Sequence, residues 1–316
     1  MIADHRREGK DVGSLVNARA HEWTPLHEAS NRGHAEAITA LVEGGAVVDQ
    51  VTQSDGKSPL LIASGSGHTE AVKVLLAAGA SVDWAREGGG TALMCACQNG
   101  RRDVVELLLD QGADVGQKMQ GGVTALLLAC QNGHRDVSEL LLDRAADVGQ
   151  AEEDGYTALM WACNEGQRDV AELLLDRSAD VEQTRKDGGT ALMTACLSGH
   201  RDVAELLLDR DANAGQVMKD GTTALMYACQ NGHRDVVDLL LDRGADVGQI
   251  RPDGGTALMA ARYAGHDDMA ELLLSRGADG NEDGGPGTQP SPPRVSADAP
   301  HRAELGSRRL AVRTST

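Results

Sequence analysis

Apolar positions recur along this chain in a fixed register. The block Thr91-Ala-Leu-Met-Cys-Ala-Cys returns as Thr124-Ala-Leu-Leu-Leu-Ala-Cys and Thr157-Ala-Leu-Met-Trp-Ala-Cys, and again from Thr190, Thr223 and Thr256. Two weaker copies precede these, Thr24-Pro-Leu-His-Glu-Ala-Ser and Ser58-Pro-Leu-Leu-Ile-Ala-Ser. The copies begin at 24, 58, 91, 124, 157, 190, 223 and 256, one step of 34 followed by six of 33. Eight copies at this period are the mark of a repeat architecture, in which each unit buries its apolar side only by stacking on its neighbours.

Each unit predicts the same elements. Thr or Ser is a helix N-cap, and Pro25 and Pro59 take the first helical position, where a missing N–H costs nothing. A short helix follows, with Leu and Ala inward, and Gly ends it at Gly100, Gly133 and Gly166 because a left-handed turn costs Gly no Cβ clash. A second helix runs through Asp136-Val-Ser-Glu-Leu-Leu-Leu-Asp-Arg144 and its counterparts, with an acidic first turn that suits the helix dipole. Arg135 with Glu139, and Arg168 with Glu172, are four apart and placed to pair on its outer side. The leucines Leu107–Leu109 hardly change between copies, as a core requires. Asp-Gly then predicts a tight hairpin at 55–56, 154–155, 187–188, 220–221 and 253–254.

Composition narrows the function. Phe is absent and aromatics are 2%, while apolar residues are 41%, so the core is small and aliphatic, suited to close helix stacking. A formal net charge of −18 makes nucleic acid a poor partner, since that affinity draws on cations facing phosphates. It favours a basic or neutral protein instead. The longest apolar runs, such as Ala125–Cys130, fall far short of the roughly 20 residues of a membrane span, so no membrane is expected. The N-terminal sequence has no apolar stretch that reads as a signal peptide, and six cysteines then point to a reducing cytosol or nucleus.

The period, the Thr-Pro-Leu-His tetrapeptide at Thr24–His27, the Gly-His pairs (Gly33-His34, Gly67-His68, Gly133-His134) and the Gly-Ala-Asp endings (Gly112–Asp114, Gly244–Asp246) resemble ankyrin repeats over residues 21–281. The resemblance implies an all-α solenoid of stacked helix-turn-helix units. Its β-hairpin loops would project to one side and its first helices would line a concave groove. It also implies protein–protein binding through that groove and the hairpin tips. The chain departs from the pattern in places. The tetrapeptide's His survives only at His27; Met94, Met160, Met193, Met226 and Met259, with Leu61 and Leu127, replace it elsewhere. A thioether fills space without the imidazole's hydrogen bonds. Gly116, Gly149, Gly215 and Gly248 stand where the family has Asn, and Ala145, Ser178 and Asp211 where it has a helix-ending Gly. Each of the last three is expected to cost about 1 kcal/mol if the left-handed conformation is kept, leaving the middle hairpins looser.

Residues 1–20 read as an irregular segment or degenerate cap, with Val16-Asn17-Ala18 like the tail of a repeat. Residues 282–316 read as a Gly/Pro/Ser-rich disordered tail with a basic end. Arg262 replaces the cysteine of earlier copies, which predicts a solvent-facing last repeat.

The candidate chemistry is sparse. Cys97, Cys130, Cys163, Cys196 and Cys229 recur every 33 residues, three of them with His four later. Equivalent residues of stacked repeats lie about 10 Å apart, too far to share a zinc ion or form a disulfide, so the thiols are expected in the core. The Asp279–Gly284 stretch matches half a calcium loop, but Pro290 stands where the bidentate acid belongs. No nucleophile–base set can be assembled, so neither enzyme, metal nor cofactor is expected. What varies is the residue four after each Thr or Ser: Glu28, Ile62, Cys95, Leu128, Trp161, Thr194, Tyr227, Ala260. The family places it on the concave face, where exposed aromatic groups serve as hot spots. The expected contact centre is Leu128, Tyr156 and Trp161, with Tyr227 beside it and Tyr263 farther along. The expected role is a monomeric scaffold binding a basic or extended protein segment; a spacer array without a dedicated partner is the alternative.

Overall fold

A computed structural model describes residues 15–19 and 22–280. The first fourteen residues and the tail from 281 lie outside them, and with these most of the irregular segment, the calcium-like loop and the basic end. The described residues contain sixteen helices and, apart from two isolated bridges (Ala151 with Thr157, Val217 with Thr223), no β pairing. They fall into two compact units, one through Asp147 and one from Val148. The first holds the helix pairs Pro25–Asn31 and Ala35–Glu43, Pro59–Ser66 and Thr69–Ala77, Ala92–Gln98 and Arg102–Asp110, and Ala125–Gln131 and Arg135–Asp143. The second holds Ala158–Asn164 and Arg168–Asp176, Ala191–Ser198 and Arg201–Asp209, Ala224–Asn231 and Arg234–Asp242, and Ala257–Tyr263 and Asp267–Ser275. Within each unit, first helices stack on first helices and second on second.

The N-caps do what the sequence asks of them. In every repeat the Thr or Ser side chain accepts the backbone N–H three residues on, at 3.2–3.4 Å, from Thr24 to Thr256. His27 adds a reciprocal bond. Its Nδ1 accepts the Thr24 N–H at 3.1 Å, which leaves Nε2 to donate to the Lys57 carbonyl of the next hairpin at 3.3 Å. Burial holds its pKa below the ordinary imidazole value. The methionines at the same place are buried without such bonds.

Successive repeats are tied by a second histidine. His68 Nε2 donates to the Asn31 carbonyl at 2.9 Å, His134 to Gln98 at 3.1 Å, His200 to Asn164 at 3.0 Å and His233 to Leu197 at 3.1 Å. Each ring lies flat on the Gly that ends the preceding first helix. A Cβ on Gly100 would stand 2.5 Å from His134 Nδ1, and one on Gly199 2.5 Å from His233 Nδ1. Those glycines are therefore required twice, once for a left-handed φ of +66° and +79° and once for the approach of the ring. Of each Leu-Leu-Leu run the middle residue is sealed completely: Leu108, Leu141, Leu174, Leu207 and Leu240 are all at 0% exposure.

Outer faces carry the expected pairs, Arg135–Glu139 at 3.5 Å and Arg168–Glu172 at 3.6 Å. A ladder between repeats joins them: Arg144–Asp110, Arg210–Asp176, Arg243–Asp209 and Arg276–Asp242 at 2.8–3.0 Å. All are well exposed, so each contributes little. Arg262 is exposed, as its place in the last repeat predicts.

The hairpins differ in detail from a two-residue Asp-Gly loop. The N–H of Gly188 donates to the Arg185 carbonyl at 3.0 Å and that of Arg185 to the Gly189 carbonyl at 2.9 Å. Gly188 is therefore the fourth residue of the turn, in the left-handed region (φ +91°), rather than one of its two central residues. The same pair of bonds recurs at Arg86, Met119, Glu152, Met218 and Arg251.

Ala145, Ser178 and Asp211 keep the left-handed conformation their glycine counterparts have, with φ of +65°, +67° and +66°. A Cβ there crowds the backbone. Replacing any of the three by Gly should raise stability by up to about 1 kcal/mol. The readout is a higher urea midpoint at unchanged slope, and an unmoved midpoint would show these positions to be unstrained.

Candidate partner-binding surface

The residue four after each Thr or Ser does not project from the surface. Seven of the eight, Ile62, Cys95, Leu128, Trp161, Thr194, Tyr227 and Ala260, are buried, and Glu28 alone is partly open. This corrects the expected exposure of the contact centre: Leu128 is 6% exposed, Tyr156 3%, Trp161 4% and Tyr227 2%. Tyr263, at 51%, is the one of the five that faces solvent.

At Trp161 and Tyr227 the cause is a hairpin side chain folded back over the first helix. At Tyr227 the cover is Met218, whose Sδ accepts the phenol hydroxyl at 3.1 Å. At Trp161 it is Tyr156, with ring centroids 5.2 Å apart. Tyr156 is covered in turn by Arg185 of the next hairpin. That guanidinium stands 4.5 Å above the ring, donates from Nη1 to the phenol oxygen and from Nη2 to Asp187 at 2.8 Å. Burial pushes the Tyr156 and Tyr227 hydroxyls up to about 12. Thr194 needs no cover, since its hydroxyl donates to its own helix at the Thr190 carbonyl, 2.9 Å away. Part of the signal was present: Arg185 and Met218 belong to a series of long side chains, Arg86, Met119, Glu152, Arg185, Met218 and Arg251, that recurs every 33 residues, whereas Tyr156 lies outside it.

The described apolar groups that do face solvent lie elsewhere. In the second unit Val217 (40%) and Ile250 (56%) occupy the same place in consecutive hairpins, and Tyr263 ends the last first helix. In the first unit Trp84 is exposed on a hairpin. An open groove of ≈ 1030 Å³ there is lined by Leu15, Arg19, Trp23, Pro25, Glu28 and Arg32, among others. Its lining carries mixed charges and one large aromatic ring, Trp23.

All six cysteines are buried and free. Desolvation pushes the Cys95 thiol up to about 11 and those of Cys130 and Cys229 to about 12, the direction that makes a thiol inert. Among the described residues no group of three His, Cys, Asp or Glu could hold a metal ion. No described helix is long and apolar enough to cross a membrane.

Burial sets opposite expectations for the five residues. Trp161→Ala and Tyr227→Ala should each cost about 3–5 kcal/mol, whereas Tyr263→Ala should stay within about 0.5 kcal/mol, all read by urea unfolding. Small effects at all three would return Trp161 and Tyr227 to the surface.

Comparison with known families agrees with this architecture. The family model for ankyrin repeats (3 copies) matches in six overlapping stretches, 5–83, 26–119, 112–185, 147–217, 178–251 and 212–284. No curated relative matches. Matched along almost its whole described length, and built from the helix pairs that the match requires, the chain belongs to the ankyrin-repeat family.

Proposed function

We propose that this protein is a monomeric scaffold or adaptor that binds another protein, through exposed residues of its hairpins and its last first helix. Ankyrin repeats in general mediate protein–protein interaction. One observation carries the reading to this chain: Val217 and Ile250 expose β-branched side chains at equivalent places on neighbouring hairpins, although the buried positions around them follow a strict apolar register. The exposed part of such aliphatic groups gains free energy when a partner covers it. Tyr263 adds an exposed aromatic anchor of the kind that dominates interfaces. Leu128, Tyr156, Trp161 and Tyr227 act from within, by setting how each hairpin sits, rather than by touching the partner. The net charge of −18 favours a basic, extended segment. Six buried thiols fit a reducing compartment, the cytosol or nucleus.

The test is capture from cell extract by the wild type and by a Val217→Ser/Ile250→Ser/Tyr263→Ala variant, with circular dichroism to confirm equal helicity. A protein retained by the wild type and weakened about ten-fold or more by the variant is the expected result. Identical capture by both would contradict the reading and favour a spacer array, in which only the number of repeats matters.

A further inference from the structure

The hairpin arginines Arg185 and Arg251 lie two repeats apart in equivalent surroundings. Both are buried, with side-chain exposures of 6% and 5%. Each N–H closes its turn on a glycine carbonyl at 2.9 Å, Gly189 and Gly255. Each Nη2 holds the aspartate two residues on, Asp187 at 2.8 Å and Asp253 at 2.5 Å. Each backbone passes close to a glycine of the preceding hairpin. A Cβ on Gly155 would stand 2.9 Å from Arg185 Cα, and one on Gly221 3.1 Å from Arg251 Cα. Each site also has an aromatic residue on the preceding first helix, Trp161 in one and Tyr227 in the other.

One member differs. The residue after that glycine is Tyr156 in the first site and Thr222 in the second. Tyr156 puts its ring under the Arg185 guanidinium and its oxygen on Nη1. Thr222 has no ring to offer, and the donor that the phenol satisfies at Arg185, Nη1, is left without a partner at Arg251, as is Thr222 Oγ1; Nε is unpartnered in both arginines. Orphaned donors of this kind are costly, more so on a cation. The guanidinium has also shifted. Arg185 Nε stands 2.6 Å from where a Gly189 Cβ would be, pressed onto the glycine above the phenol; Arg251 Nε stands 3.6 Å from the Gly255 counterpart.

The repeat-eight hairpin is also the easier one to move. Lys186 and Lys219 tie their hairpins to the preceding one through backbone N–H bonds to the carbonyls of Asp154 (3.3 Å) and Asp187 (2.9 Å). The corresponding residue in the last hairpin is Pro252, which has no N–H to give.

We propose that Arg251 and Thr222 form a receptor for a tyrosine side chain of the bound protein, filled from outside as Tyr156 fills the Arg185 site from within. The incoming phenol oxygen accepts from Arg251 Nη1 and its ring lies under the guanidinium, a cation–π contact strengthened by burial. The peptide N–H of that tyrosine is the donor Thr222 Oγ1 lacks. Asp253 already balances the charge of Arg251, so a neutral phenol fits this site better than a carboxylate or phosphate. This inference rests on the protein-binding reading and adds to it one recognised side chain.

The probe is N-acetyl-L-tyrosinamide, titrated into the full 15N-labelled chain and followed at the Arg251 Nε–Hε resonance, assigned by its loss in Arg251→Lys. The expected result is a saturable shift, about ten-fold weaker with N-acetyl-L-phenylalaninamide, which lacks the acceptor oxygen. Thr222→Tyr should supply the phenol internally and abolish the response. Should that variant fail to fold, Arg251→Met, followed at the Thr222 backbone amide, should abolish it instead. No saturable shift, or equal shifts with both probes, overturns the proposal. The probe needs no protein partner, so capture that succeeds while this titration fails would place the partner elsewhere and leave the scaffold reading intact.

Discussion

Within each unit of this protein everything depends on how closely one repeat can approach the next, and that distance is set where a side chain lies on a bare glycine Cα, an imidazole at most junctions and Arg101 on Gly67. The His134 ring against Gly100, and the His233 ring against Gly199, bring the turns of consecutive repeats into contact and place Nε2 on the carbonyl that ends the previous first helix. That approach permits the small residues of the first helices, Ala96 and Ala129 or Ala195 and Ala228, to be sealed at 0% exposure, and the central leucine of each second helix with them. Without aromatic bulk to fill gaps, an Ala- and Leu-based core gains burial only by close approach. The register of 33 residues is the sequence-level record of that geometry.

The hairpins carry the variation that the helices do not tolerate. In two repeats a hairpin side chain folds inward over the position that changes from repeat to repeat: Met218 over Tyr227 and Tyr156 over Trp161. Diversity at that helical position is therefore mostly internal packing, matched within a repeat, rather than a surface written for a partner. The surface available to a partner is set by what the hairpins leave outside, Val217 and Ile250, and by Tyr263 where no further described repeat covers the helix. Ankyrin repeats in general mediate protein–protein interaction, and these exposed side chains are where the proposed contact falls.

Much of the architecture was legible in the sequence because local chemistry determines it. Thr24 through Thr256 cap their helices, Arg135 reaches Glu139, and Ala145, Ser178 and Asp211 adopt the left-handed conformation that their place implies. Each of these depends on residues within a few positions of one another. The candidate site was less legible because burial of Trp161 and Tyr227 depends on a hairpin folding back over them, and Tyr156 is covered by an arginine 29 residues later. Reading helix periodicity alone places a side chain on a face, but it does not say what lies on top of that face. The equivalence of Arg185 and Arg251 was present in the 33-residue register; the difference between Tyr156 and Thr222 acquires meaning only once both guanidinium groups have positions.

The claim that ring-on-glycine contact couples the repeats is tested most directly by comparing Gly100→Ala with Gly112→Ala in urea unfolding. Both glycines have left-handed φ, +66° and +85°, so both substitutions incur the same conformational cost, about 1 kcal/mol. Only at Gly100 does the new methyl meet the His134 ring; at Gly112 it meets nothing within 4 Å. Gly112→Ala should therefore show the conformational loss alone, and Gly100→Ala a clearly larger one with a broadened transition as neighbouring repeats uncouple. Equal losses for the two would contradict the account and leave helix burial alone to hold the stack.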